Sequence, residues 1–520
     1  MLFSDDIASV LIDIFTSYKF ASIAILVTLL FIKTSKNNDT KKKYPLPPDG
    51  QPFADFLTNR NGMRAEKQSG LVEKHGSIYT IPSPLQGIVP NQVAINEIEL
   101  VKELCIKQAN MYRNPSKFTT RGDAFAKATR QVVGTGVTGL KGDEWEWRKK
   151  ALLKEFHRNR LLSDERGLLK AVLDEGRILC NELEKAADTG TIIRVDHLAT
   201  NAAVGVVLFF LFGRRLEFDT DELQRSAKDL IEGLFDRLMS PFFDITKHIP
   251  GTAAYKTYCK ILTAQKVVDS IVATETDMLL DEYKTGRVHP DRTPGSVMAS
   301  LIENESRFRQ GGTESMLAEA RVFVQAGFET TAHSLAFAMG MMAERPDIAD
   351  QIAMEGSKYF TTRDSYYNTD DMKVAIDKVS LVNNFFHEAL RLYPLAPALG
   401  GECTDDIDIT TKNGDKYTLP KGTAVMFFNY TLQRQVPDPD EIRPERWDVA
   451  PKDRPFLHTF QTGAHTCPGK PLSLLEGRVF LLLAAMQFKF EFPEGISKVE
   501  YQDNMLLRPK DGMPLIVKRR

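Results

Sequence analysis

The chain has 520 residues and a mass of 58.5 kDa, with 67 Lys and Arg against 69 Asp and Glu, for a formal net charge of −2. So even a balance argues against a nucleic-acid surface, and no nucleic acid is expected as a partner. Hydrophobic residues make up 42% of the chain, enough for a large core, and the length allows one large domain or two to three smaller ones. The five cysteines, Cys105, Cys180, Cys259, Cys403 and Cys467, are odd in number and include no C-x-x-C pair. That usage fits a reducing compartment rather than a disulfide framework.

The first expected element is a membrane anchor. Phe20 to Ile32 is apolar apart from Ser22 and Thr28, and the stretch lengthens to Val10 if Asp13 and Lys19 are tolerated, which makes it long enough to span. Asp5 and Asp6 precede it, while Lys33, Lys36 and Lys41 to Lys43 follow it. This order disfavours a cleaved signal peptide and puts the remainder of the chain in the cytosol. Tyr44-Pro-Leu-Pro-Pro48-Asp-Gly50 then reads as a stiff hinge. The expected division is residues 1–44 as anchor and basic linker and 45–520 as one catalytic domain.

Past the hinge, the pattern predicts a helix over Arg64 to His75 and short strands over Ser77 to Pro82 and Gln92 to Ile95. Gly134-Thr-Gly136-Val-Thr-Gly139 matches the dinucleotide fingerprint G-x-G-x-x-G, but Val132 and Val133 make a meagre strand, so a flexible loop is expected. A helix opens at Gly142 and runs on through Phe156, placing Trp145 and Lys149 one turn apart on one face, where an indole and a cation suit a carboxylate. Asp164 to Asp281 reads as mostly helical, broken near Pro241 to Thr252, where Phe242, Phe243 and Ile249 are apolar loop residues.

Thr313 to Glu344 is a long helix, apolar nearly all round from Val322 to Met342. Gln325, Glu329, Thr330, Thr331 and His333 in its middle argue for a buried central helix lining a polar site rather than a second span. Within it, Ala326-Gly327-Phe-Glu329-Thr330-Thr331 combines a helix-weakening glycine with a hydroxyl that can compete for the Ala326 carbonyl, so a local opening and a groove are expected. Farther on, Glu388 and Arg391 form an i,i+3 pair on a helix from Val379 to Tyr393, followed by Leu419-Pro-Lys-Gly-Thr423 and Arg443-Pro444-Glu445-Arg446-Trp447.

Phe460-Gln-Thr-Gly463-Ala-His465-Thr-Cys467-Pro468-Gly469 precedes an apolar helix predicted over Pro471 to Phe488. A cysteine at a helix entrance is where a thiolate is stabilised. Gly463 permits a turn, Gly469 permits close approach of a flat cofactor, and Pro468 suits a first helical position. One thiolate without a second ligand at zinc spacing cannot complete a tetrahedral site, whereas it can be the single protein ligand of a haem iron.

Together these motifs resemble the cytochrome P-450 superfamily in its microsomal, membrane-anchored form, over about residues 45 to 520. The resemblance implies a mainly α fold with small β-sheets and a haem b, iron protoporphyrin IX, with the Cys467 thiolate as axial ligand. It implies a monooxygenase acting on an apolar small molecule, with Glu329 and Thr330 relaying protons and Ala326 and Gly327 bordering the oxygen site. Phe460, Gly463, His465, Gly469, Trp145 and Lys149 would hold the cofactor, and Glu388, Arg391 and Arg446 would form a structural network behind it. Electrons would come from an NADPH-cytochrome reductase, with cytochrome b5 as a further candidate donor, at the endoplasmic reticulum membrane. Three positions depart from the family's usual basic haem-propionate shell: Lys149 and His465 where Arg is commoner, and Gly401 where Arg often stands. The alternatives are a haem-thiolate isomerase or dehydratase, a non-catalytic haem sensor, and an NAD-dependent dehydrogenase using Gly134 to Gly139.

Overall fold

A computed structural model describes residues 46–49, 64–81, 92–109, 117–120, 122–239, 243–504 and 506–520. The expected anchor, residues 1–44, and Phe242 lie outside them. Of the expected hinge, Pro47 to Asp49 lies against the first strand: the Thr80 amide donates to the Pro48 carbonyl at 2.8 Å, and the Thr80 hydroxyl to the Pro47 carbonyl at 2.9 Å.

The described chain is mainly α, with four small sheets among the described residues. The principal helices are α1 (Arg64–His75), α2 (Ile98–Lys102, continuing as a π-helix over Glu103–Gln108), α3 (Asp123–Val133), α4 (Gly142–Glu155), α5 (Leu168–Thr189) and α6 (Val195–Phe212). They continue with α7 (Thr220–Met239), α8 (Ala253–Thr285), α9 (Gly312–Glu344), α10 (Ser380–Leu392) and α11 (Lys470–Gln487). The break expected near 241–252 holds one short turn of helix, Phe243–Thr246, before the Thr252 hydroxyl caps α8 by accepting from the Tyr255 amide. In that break Phe243 is buried and Ile245 is exposed. At the far end of α8, Gly286 takes the left-handed conformation that ends many helices.

The strands are β1 (Ile78–Ile81), β2 (Gln92–Ile95), β3 (Phe118–Thr119), β4 (Ile193–Arg194), β5 (Ala398–Cys403), β6 (Ile407–Thr410), β7 (Lys416–Leu419), β8 (Ala424–Phe428), β9 (Phe488–Glu491), β10 (Tyr501–Asn504), β11 (Leu506–Pro509) and β12 (Pro514–Arg519). The largest sheet has the order β1-β2-β8-β5-β3, with β2 and β8 parallel and its other pairs antiparallel. Its inner side, with Val93, Ile95, Phe118, Val425 and Phe427, forms a core of its own with α2. The hairpin β10-β11 pairs Gln502 with Arg508 and Asp503 with Leu507.

Helix α9 is the spine. It packs against α6, α8, α10 and α11, and its buried face runs from Met316 to Met342. Among the described residues α6 is the helix long and apolar enough to cross a membrane, but it is mostly buried inside the protein and serves as a core helix. Tight packing replaces side chains where these helices cross. A Cβ on Gly327 of α9 would stand 2.8 Å from Val207 of α6, which accounts for a glycine inside a helix.

Gly134 to Gly139 is a loop, as expected, and Val132 and Val133 end helix α3, so the fingerprint lacks the strand it requires. The loop lies on the central helix: the Val137 amide donates to Glu319 at 3.1 Å, and a Cβ on Gly136 would stand 2.6 Å from the Ala318 carbonyl oxygen. One expectation about local structure is corrected: α11 begins at Lys470 with Pro471 in its first turn, so Pro468 lies in the turn before the helix, not at its first position.

Candidate active site

The cysteine loop is held by backbone. The Cys467 amide donates to the Phe460 carbonyl at 2.8 Å, and the Thr466 amide and hydroxyl both reach the Gly463 carbonyl, at 3.1 and 2.7 Å. Gly463 has a φ of 82°, and a Cβ there would run into the Cys105 carbonyl of the π-helix. No other residue fits that position without displacing one wall of the loop. Cys467 is exposed and in no disulfide. A Cβ on Gly469 would make only an ordinary 3.7 Å contact with its sulfur.

Helix α4 supplies the next contacts. The Lys149 ammonium donates to the carbonyls of Ala464 and of Thr466, the latter at 3.1 Å. The Trp145 ring lies 4.1 Å, centroid to centroid, from the His465 ring and 5.4 Å from the Lys149 nitrogen. The structure therefore gathers Trp145, Lys149, His465 and the cysteine loop, with the lysine closing the loop as well as supplying charge. Arg148, beside it, anchors α4 to α9 through Glu319 at 2.9 Å and Ser315 at 3.1 Å. Gly401 on β5 has no room for a side chain: a Cβ would run into Phe118 and stand 2.6 Å from the Thr119 carbonyl oxygen, so packing excludes arginine there.

Behind the loop lies a buried charge network. Arg391 and Glu388 are both fully buried, and the guanidinium donates to the two carboxylate oxygens at 2.8 and 2.9 Å. The same oxygens accept from the Arg443 amide and from the Trp447 indole, each at 3.0 Å, and the Arg446 Nε lies 3.4 Å from Oε1 in ionic contact without a hydrogen bond. Arg391 also donates to the carbonyls of Pro439, Glu441 and Gln433. A buried ion pair is tolerable on these terms, with each lone pair and each proton placed.

Sequence reasoning missed Gln433, the residue that joins this network to the cysteine loop. Its side-chain Oε1 accepts from the backbone amides of His458 and Thr459 at 2.8 and 2.9 Å, and its side-chain Nε2 donates to the carbonyls of Leu390 and Arg391 at 3.0 and 3.1 Å. A lone glutamine carries no signal in a sequence; only its burial at 1% exposure and its partners single it out.

On α9 the Thr330 hydroxyl donates to the Ala326 carbonyl at 2.8 Å, as expected, yet the helix is continuous from Gly312 to Glu344. The hydroxyl shares the carbonyl without breaking the helix, and the expected local opening is absent. Ala326 is nonetheless exposed although Val324 and Phe328 beside it are each 1% exposed, so the helix presents a small residue to open space. Glu329, next in sequence to Thr330, is turned by about 100° around the helix. It is bound by Arg508 of β11, with Nε at 3.1 Å and Nη2 at 2.8 Å, both on Oε1. Its Oε2 is buried without a hydrogen-bond partner. Burial raises the carboxyl above the usual range, and Arg508 pulls against that rise. One turn on, burial and then Arg508 push His333 down to about 3, so the imidazole is neutral, and its Nδ1 likewise has no partner.

The donor set fits a haem. An exposed thiol stands beside a glycine, a cation and two tilted rings in contact crowd the loop that carries it, and the unbroken central helix presents an exposed alanine. The family model described as Cytochrome P450 matches residues 45–517.

The chain belongs to the cytochrome P450 family.

Cytochrome P450 3A12 of Canis lupus familiaris is 25% identical over 533 residues, covering 96% of this chain and 99% of that one. Cytochrome P450 3A1 of Rattus norvegicus is 24% identical over 90% of each chain, and cytochrome P450 4V2 of Mus musculus is 22% identical over 75% of this chain and 74% of its own. This P450 is a haem-thiolate monooxygenase, an oxidoreductase with iron protoporphyrin IX as cofactor, a redox partner and a small-molecule substrate. The isomerase, sensor and dehydrogenase alternatives have no support.

Proposed function

We propose that Cys467 is the thiolate ligand of the haem, and that this P450 oxygenates an apolar small molecule at a site bordered by Ala326 and Gly327. The observation that carries the reading is the exposed Cys467 sulfur on a loop fixed by the Phe460 carbonyl, by Gly463 and by Lys149. When bound, the haem supplies dioxygen activation, and an electron-rich thiolate favours O–O cleavage.

The chain's own residues do the rest. Lys149 and Trp145, with His465, hold the propionate side, and Phe460 and Gly469 flank the ligand. Glu329 takes protons inward from the α7 side and Thr330 presents a hydroxyl at the oxygen site. With Thr330 bonded to Ala326 and Glu329 to Arg508, the two do not bond each other, so the relay needs a water between them. Glu388, Arg391 and Arg446 are structural. Residues 45–520 form the catalytic domain in the cytosol, and 1–44 a single-pass anchor in the endoplasmic reticulum membrane. Electrons arrive from an NADPH-cytochrome reductase, with cytochrome b5 as a second donor.

The test is turnover of the full chain in vesicles with that reductase, NADPH and labelled dioxygen. The expected result is a product carrying one labelled oxygen atom per NADPH oxidised. Haem binding without NADPH consumption across a panel of apolar compounds would overturn the reading.

A further inference from the structure

The sequence motif points to Glu329, but the structure surrounds that carboxyl with groups no motif contains. Arg508 arrives from the β10-β11 hairpin and donates one hydrogen bond to Oε1, from Nε, with Nη2 in ionic contact with the same oxygen. A second reach of the same guanidinium goes to Glu232 of α7 at 3.9 Å, a side chain that is 38% exposed where Glu329 is 7% exposed. The hairpin is itself pinned, since Asp503, paired with Leu507 across it, accepts from the Ala65 amide of α1 at 2.9 Å. Arg508 is thus a cation on a fixed arm, set between a buried carboxyl and one that meets solvent.

The charged and titratable groups facing Glu329 come from three elements. They are Arg508 on β11, Glu232 and Lys228 on α7, and His333 on α9 itself. His333 stays neutral, so it adds no charge beside the carboxyl. Arg508 and Lys228 favour the ionised carboxylate, while burial and Glu232 favour the protonated form. A general acid works best when it neither holds its proton too firmly nor loses it too early.

We propose that Arg508 is a positioning residue for the oxygenation reaction: it anchors the Glu329 carboxyl by one oxygen and tunes how readily the other exchanges a proton. This rests on the reading of Glu329 as part of the proton relay. Anchoring Oε1 leaves Oε2 as the exchanging atom, and the exposed Glu232 competes for the same cation from the solvent side.

The experiment measures product and peroxide per NADPH across a pH series, in the full chain with its reductase, for Arg508→Met, Arg508→Lys, Glu232→Gln, Glu329→Gln and the Arg508→Met/Glu329→Gln pair. Haem content and melting temperature are followed in parallel. Loss of the cation should move the alkaline limb of product yield upward by about one pH unit or more and lower its plateau several-fold, and Arg508→Lys should restore both. Glu232→Gln should move the limb downward, since it removes a charge that favours protonation. The pair should be no worse than Glu329→Gln alone, because a residue acting through Glu329 has nothing left to position. If Glu329→Gln uncouples but Arg508→Met and Glu232→Gln leave the limb in place, or the pair is additive, the proposal is overturned and the relay stands. If Glu329→Gln itself leaves coupling unchanged, the relay and the proposal fall together. Should Arg508→Met not fold, Glu232→Gln still decides the sign.

Discussion

Two buried glutamates, Glu388 on α10 and Glu329 on α9, each face an arginine, and the difference between their surroundings separates scaffold from chemistry. Glu388 has both oxygens occupied, by the two Arg391 nitrogens, the Arg443 amide and the Trp447 indole. Glu329 has one oxygen bound and one left over, with burial raising its proton affinity. A carboxylate whose lone pairs are all used is a strut. One left half-satisfied on an apolar helix is destabilising unless a reaction uses it.

The largest effect is expected at the strut. Glu388→Ala leaves Arg391 charged and buried without its partner, which costs about 3–5 kcal/mol and should appear as lost haem and a low urea midpoint. If Glu388→Ala unfolded no more easily than the wild type, the network would not be the scaffold described here. Glu329→Gln should invert that pattern, with an unfolding free energy in urea changed by no more than about 1 kcal/mol and product formation lowered on the order of 100-fold under steady NADPH consumption. A smaller change is expected from Thr330→Ala. Haem content and substrate affinity should persist while peroxide rises roughly tenfold relative to product, and unchanged coupling would remove Thr330 from the relay.

The smallest effect is a pH tilt. A histidine titrates near 6.5 when unfolded but only at about 3 at position 333, so as pH falls through that window the unfolded chain takes up a proton that the folded chain refuses. Stability contributed by neutral His333 is therefore present above the unfolded value and lost on acidification. Glu329 has the opposite sign: its raised folded value contributes stability at low pH that is lost as pH rises through it. Denaturation midpoints across pH should thus flatten on the acid side in His333→Asn and tilt the other way in Glu329→Gln. The same tilt in both would contradict the burial described for one of them.

Much of this was legible in the chain. Helix α1 has its expected bounds, α9 begins one residue earlier than expected, and the Cys467 loop precedes an apolar helix as expected. These features are local: periodicity, glycine placement and a ten-residue motif carry them. What was not legible is long-range. Arg508 is 179 residues from Glu329, and Gln433 stands 42 residues from the carbonyl of Arg391 that it caps. Neither has a pattern of its own. Gly327 shows a third kind of limit: the motif suggested a helix opening, while a close crossing with Val207 supplies its reason.

The central claim is that the Cys467 sulfur holds the haem iron, and the carbon-monoxide difference spectrum of the reduced protein tests it most directly. The wild-type chain should give the red-shifted band of a thiolate-ligated carbonyl complex. Cys467→Ala should lose that band while the apoprotein keeps its helical circular dichroism. Persistence of the same red-shifted band in Cys467→Ala would contradict the account at its centre.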